Sequence, residues 1–234
     1  MTSRSSRLRA RLTPIVALFA LGACDGCSSV ETPAPATPAS EPAPEAAQAE
    51  VVRFEGADGF LLEGSLWAGP SGAPAVVLMH QLGAERAEWS PVIIALVDAG
   101  FSVLAFDQRG HGASTRGAGG EEVRWRDFGP EDWAAYPADA RAAVAWLRSR
   151  PSPPRSLVLG GSSIGSSAAL IAGAELEGVR GVFALSPGRA YRGLDVVTPL
   201  AGFGERALLA VAAEGEAPSV DTLAAIEGAV PGAE

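Results

Sequence analysis

One serine in this sequence stands in a setting that would make it a nucleophile. Gly161-Ser162-Ser163-Ile164-Gly165 spells G-x-S-x-G, the spacing of a sharp strand-to-helix turn that lifts its central serine out of a sheet. Glycine flanks the serine because a side chain there would collide with the neighbouring elements. A helix starting at this turn aims its first N–H groups, and the positive end of its dipole, at the site, ready for an oxyanion. The pattern alone is weak, since Gly and Ser are common in plain loops. Its surroundings are the demanded ones: an apolar strand over 157–159 and a small-residue helix over 166–174. A phosphate-cradling loop is the other use for such glycines, but neither G-x-G-x-x-G nor G-x-x-x-x-G-K-[ST] occurs.

The elements that must position this serine follow from the apolar pattern. Residues 51–54 and 60–67 read as two short strands around the turn Gly56-Ala57-Asp58-Gly59. Short runs, apolar on both faces, at 75–79, 101–106, 182–185 and 207–213 read as buried parallel strands. Helices are expected over 89–99, closed by Gly100, over 138–148, stopped by Pro151, and over 220–230. Strands and helices alternate from residue 75 onward. The expected fold class is therefore α/β: a mostly parallel sheet with helices on both faces and an antiparallel N-terminal hairpin. No internal repeat is present.

Two further loops carry recognisable residues. Leu78-Met79-His80-Gln81-Leu82-Gly83 follows the third strand, and Asp107-Gln108-Arg109-Gly110-His111-Gly112-Ala113-Ser114 follows the fourth. With the serine turn, and in this order, they resemble the α/β-hydrolase superfamily over about residues 51–234. The resemblance implies a serine hydrolase of the esterase kind. In it Ser163 is the nucleophile, and the backbone N–H groups of Ile164 and Gln81, or Leu82 in place of Gln81, hold the oxyanion. Gln81 stands where the family usually has glycine. The family's catalytic acid, usually Asp, follows a strand like 208–213; Glu216 matches best by spacing, and Glu214 is the alternative. The resemblance implies no metal and no organic cofactor.

The histidine departs from the family. Chain order there is serine, acid, histidine, yet the two histidines, His80 and His111, both precede Ser163. His80 falls where the family braces the oxyanion loop, and His111 where its histidine is structural. A catalytic histidine would be expected on a loop after an eighth strand, and the chain stops at Glu234 before one. The expectation is an incomplete C-terminus, with strand 207–213 left as an apolar sheet edge and one sheet face partly bare.

The N-terminus reads as an address. Arg4, Arg7, Arg9 and Arg11 precede an apolar run at 15–20 that is too short to span a bilayer as a helix. Leu21-Gly22-Ala23-Cys24 then resembles the bacterial lipoprotein signal, which implies removal of residues 1–23, acylation of Cys24 and a cell-envelope location on a membrane. Cys24 and Cys27 also spell C-x-x-C, but no strand precedes the pair and acylation would consume one thiol. Residues 24–50, rich in Pro and Ala, cannot bury a core and read as an extended spacer, leaving 51–234 as the hydrolase domain. The formal charge is −9 with no lysine among 18 basic residues. No basic patch offers itself to phosphates, so nucleic acid is not an expected partner.

Two readings of function remain. The first is a lipid-anchored hydrolase that cleaves a small ester, or less readily an amide, by acyl transfer through Ser163. Little room for a cap between residues 185 and 207 implies an open site. The second is an inert remnant of the fold, or a binding lipoprotein, because no histidine follows the nucleophile. A redox or nucleotide-binding module has only the cysteine pair and the glycine loop behind it.

Overall fold

A computed structural model describes residues 49–230 and 233. The signal expected over 1–23, the acylated Cys24 and nearly all of the 24–50 spacer lie outside the described residues.

The sheet has seven strands: β1 (Glu50–Glu55), β2 (Leu61–Trp67), β3 (Ala75–Met79), β4 (Ser102–Phe106), β5 (Leu157–Ser162), β6 (Val179–Leu185) and β7 (Ala207–Val211). β1 and β2 form the expected hairpin. Every second residue is buried, so Val52, Phe54, Leu62 and Leu66 reach the core while their neighbours face water. The turn closes with Gly59 at φ 82°, and the Phe60 N–H donates to Asp58 Oδ1 at 3.2 Å. β2 pairs antiparallel with β4, and β3 to β7 are parallel to one another.

The order β1-β2-β4-β3-β5-β6-β7 puts β3 between β4 and β5. The chain winds one way from β3 and the other way at β5, and the crevice at such a switch point, beyond the strands' C-terminal ends, is where ligands bind in open α/β sheets. Met79 lies beside Gly161 in the β3–β5 register. The loop starting at His80 and the turn containing Ser163 therefore leave the sheet side by side.

The described residues form five helices: α1 (Ser90–Asp98), α2 (Pro130–Ala134), α3 (Tyr136–Ser149), α4 (Ile164–Glu175) and α5 (Ala217–Ala229). Gly100 ends α1 with φ 84°, a left-handed conformation that favours glycine. The short α2 has no counterpart in the sequence reading. Five residues cannot display a helical period; its signals are Pro130 at the first turn and the Asp132 carboxylate, which accepts the Gly129 N–H at 2.9 Å. α4 is buried along nearly its whole length. Its small residues let it sit close to the strands: a Cβ on Gly173 would come within 2.3 Å of Val182 Cγ2.

Two apolar cores lie on opposite faces of the sheet. The larger joins β-strand residues such as Val77, Leu159 and Val182 to Ala140, Val144, Ala168 and Leu170 of α3 and α4. The smaller packs Val76, Leu78, Val103 and Ala105 against Trp89 and Ile93. Beyond α1 that second face thins out. Among the described residues β7 has one strand neighbour, and Leu209 and Val211 are 47% and 46% exposed. Between residues 185 and 207 there are two single turns, Tyr191–Gly193 and Thr198–Gly202; Leu200 of the second, with Leu194, Val196 and Phe203 beside the turns, is buried in the larger core.

Candidate active site

Ser163 occupies the turn between β5 and α4 with φ 49° and ψ −116°. A non-glycine residue in such a conformation costs on the order of 1–3 kcal/mol and persists where the surroundings over-determine it. Here the determinants are visible. The Ser163 N–H donates to the Leu185 carbonyl at 2.8 Å, and the Ser163 carbonyl accepts from the Ser166 N–H and from Ser166 Oγ. The flanking glycines admit no side chain. A Cβ on Gly161 would lie 2.2 Å from the Gly165 backbone, and one on Gly165 would lie 2.2 Å and 2.6 Å from the carbonyl oxygens of Met79 and His80. Gly160, one residue earlier, makes room for the Phe183 ring, 2.0 Å from where its Cβ would be. The result is a half-buried serine at the N-terminus of a buried helix, pressed against the end of β3.

The loop after β3 is held by its own backbone groups. The His80 ring is buried, with Nε2 accepting the Gln108 N–H at 2.9 Å and Nδ1 donating to the Gln81 carbonyl at 2.7 Å. The Gln81 N–H donates to Glu88 Oε2 at 2.9 Å and the Gly83 N–H to His111 Nε2 at 3.1 Å. Of the two expected oxyanion donors of this loop, Gln81 and Leu82, the Gln81 N–H is given to a carboxylate. Between the engaged N–H groups of Gln81 and Gly83, the Leu82 N–H has no acceptor among the described residues.

Each residue singled out in the β4 loop has a structural task. Asp107 accepts the backbone N–H of Arg86 at 2.7 Å, its guanidinium at 2.6 Å, and the Ala113 N–H at 2.9 Å. Gly112 is needed because a Cβ there would overlap the Asp107 carboxylate at 2.3 Å. Arg109 is buried between Asp139 of α3, bonded at 2.6 Å through two nitrogens, and Asp58 of the hairpin turn at 2.7 Å. Ser114 Oγ accepts the Glu63 N–H at 2.8 Å, tying the loop to β2.

His111 is the second brace. Its Nδ1 donates to the Arg109 carbonyl at 2.9 Å, its Nε2 accepts from Gly83, and its ring stacks on Trp125 with centroids 5.5 Å apart. Burial pushes its pKa down to about 4, with the neighbouring His80 ring adding to the effect. Burial likewise holds His80 below the ordinary imidazole range. Both rings are thus neutral near pH 7, with both nitrogens of each committed to loop backbone.

Glu216 and Glu214 are exposed in the turn between β7 and α5, and neither carboxylate has a hydrogen-bond partner among the described residues. The geometry puts neither against an imidazole. Among the described residues no three His, Cys, Asp or Glu side chains gather closely enough to hold a metal ion, and no helix is long and apolar enough to cross a membrane. Glu88, which sequence reasoning passed over, touches both Gln81 and Ser162. Its spacing from Ser162, 74 residues along the chain, gives no signal, because the fold brings the two together.

The sheet order, the strained serine at the switch point and the two braced loops define an α/β hydrolase. Residues 71–216 match the family described as serine aminopeptidase, S33, and the chain belongs to that family. Among solved structures it is similar to the Pyrococcus furiosus esterase Pf2001, with a TM-score of 0.62, 20% identity and 80% of each chain covered. It is also similar to dienelactone hydrolase from Anabaena variabilis, with a TM-score of 0.64, 18% identity, and 80% of this chain and 83% of that one covered. At these identities the likeness is one of fold. A stretch of 49 residues, 21% of this chain, is 51% identical to epoxide hydrolase A of Mycobacterium tuberculosis but spans 15% of that protein.

Proposed function

We propose that this hydrolase cleaves a small carboxylic ester by acyl transfer through Ser163. The observation that carries the reading is the Ser163 turn itself, a strained serine at φ 49° on the N-terminus of a buried helix. Such strain is stored where a nucleophile must stand clear of the sheet. Ser163 Oγ attacks the acyl carbon as its proton passes to an imidazole other than His80 and His111. The N–H groups of Ile164 and Leu82 take the resulting oxyanion, and its collapse expels the alcohol, which carries that proton away. Glu216 is the proposed acid and Glu214 its alternative, either of which would orient an imidazole. His80 and His111 are not proposed as the base. Each is neutral with both nitrogens bonded, so accepting a proton from serine would cost a loop contact.

A specific observation also supports the second reading, an inert or purely binding form of the fold. Both histidines of the sequence are committed as braces, and loss of a triad member costs on the order of 10⁴–10⁶ in kcat. Fluorophosphonate labelling separates the two readings. Covalent labelling that disappears in Ser163→Ala supports the hydrolase, whereas a folded protein that takes no label supports the inert form.

Residues 1–23 direct export and are removed, Cys24 is acylated, and 24–50 hold the domain 51–234 off a membrane of the bacterial envelope. Incorporation of radiolabelled palmitate, lost in Cys24→Ala, tests the anchor.

A further inference from the structure

Glu88, in the single turn Arg86–Trp89 before α1, makes two hydrogen bonds for which the scheme above has no use. Its Oε1 accepts from Ser162 Oγ at 2.5 Å and its Oε2 from the Gln81 N–H at 2.9 Å. Ser162 precedes Ser163, and Gln81 opens the loop after β3. One half-buried carboxylate therefore links the two backbone segments between which an oxyanion would form. The turn carrying Glu88 is anchored on its far side, where Arg86 bonds Asp107 through both its backbone N–H and its guanidinium.

The N–H groups of the loop sort themselves around this link. Gln81 gives its N–H to Glu88, Gly83 to the neutral His111 ring, and Ala84 to the Gln81 carbonyl at 3.2 Å. Leu82 lies between two pinned neighbours with its own N–H unengaged among the described residues. A peptide N–H bonded to a carboxylate cannot turn to a developing oxyanion without leaving two negative charges to share one donor.

We propose that Glu88 is a positioning residue that holds the loop so that Leu82, and not Gln81, supplies its oxyanion donor. The chemical consequence rests on the ester-hydrolase reading, whereas the brace itself does not. Glu88 touches no reacting atom; it acts through Gln81 and Ser162.

The full chain serves for the test, with amide hydrogen exchange read at Gln81 and fluorophosphonate labelling read at Ser163. In Glu88→Ala, exchange at Gln81 should quicken by about a hundredfold while the global unfolding midpoint holds, and labelling should slow by about the same factor, the effect of losing one oxyanion donor. Glu88→Gln can accept from Gln81 through Oε1 and donate from Nε2 to Ser162 Oγ, so it should restore most of both. Unchanged exchange at Gln81 in Glu88→Ala overturns the brace. Faster labelling overturns the positioning role, because Glu88 would then be blocking Gln81 and not aiming Leu82. Should Glu88→Ala fail to fold, Ser162→Ala cuts the same link from the other side and must loosen Gln81 if the proposal holds. A folded wild type that takes no label counts against the hydrolase reading alone, and the exchange measurement still decides the brace.

Discussion

Acid should loosen this fold through His111, and the size of the effect follows from its surroundings. An unfolded imidazole takes its proton near pH 6.5, whereas burial holds the folded one near 4. The folded state therefore binds the proton less well. Stability contributed by the neutral ring is intact above pH 6.5 and is lost as pH falls through the window from 6.5 to 4. Between these two values the full difference is about 3 kcal/mol, and at pH 5 about 2 kcal/mol is already gone. For a domain of this size that loss lowers the melting temperature by on the order of 5 °C. The structural cause is specific: protonating Nε2 turns the acceptor of the Gly83 N–H into a second donor and breaks the brace on the oxyanion loop. The assay is denaturant unfolding at intervals from pH 7.5 to 4.5, run in parallel on wild type and on His111→Gln, which cannot be protonated. The variant should start less stable and lose about 2 kcal/mol less between pH 7.5 and 5. An imidazole resonance of His111 titrating above pH 6, or equal acid sensitivity in both proteins, would refute the reasoning. His80, also held neutral by burial, should give the wild type additional acid sensitivity of the same sign.

Three other outcomes are expected. Gly165→Ala drives a Cβ into two backbone carbonyls that cannot step aside, so it should cost about 3 kcal/mol in chemical denaturation and abolish labelling of Ser163. Ser163→Gly relieves the left-handed backbone and should raise stability by about 1 kcal/mol, less than the full strain because glycine gains freedom when unfolded. Asp139→Ala strips the buried Arg109 guanidinium of its main partner, leaving only the half-exposed Asp58. Its cost should be about 3 kcal/mol in the unfolding free energy, larger than that of Asp58→Ala measured in the same way.

Much of this architecture was legible beforehand because its signals are local. Five-residue apolar runs such as Ala75–Met79, bounded by Pro74 and polar residues, match their strand without error. The alternation in β1 and β2 declares a hairpin with one wet face. The glycines of the Ser163 turn were readable for the same reason, since their necessity is steric and lies within five residues. Element ends were less legible. β5 continues through Gly160 and Gly161 to Ser162, against the propensity of glycine, because the Phe183 ring and the N-terminus of α4 fill the space a side chain would take. α2 escaped notice because one turn of helix has no period to detect.

The site divides along a similar line. By itself the sequence determined the fold class, the serine turn, and the motif loops after β3 and β4, all by short-range pattern and by the order of motifs along the chain. It also determined that both histidines precede the serine. Only the tertiary structure decided what those histidines do. It buried both rings, bonded every ring nitrogen to loop backbone and lowered their proton affinity, effects of packing that no spacing encodes. The structure likewise gave the Gln81 N–H to Glu88, left that of Leu82 open, and tied the Glu88 carboxylate to Ser162, 74 residues further along the chain. A hydrogen bond across such a distance depends on where strands terminate relative to one another, and that is a property of the folded sheet.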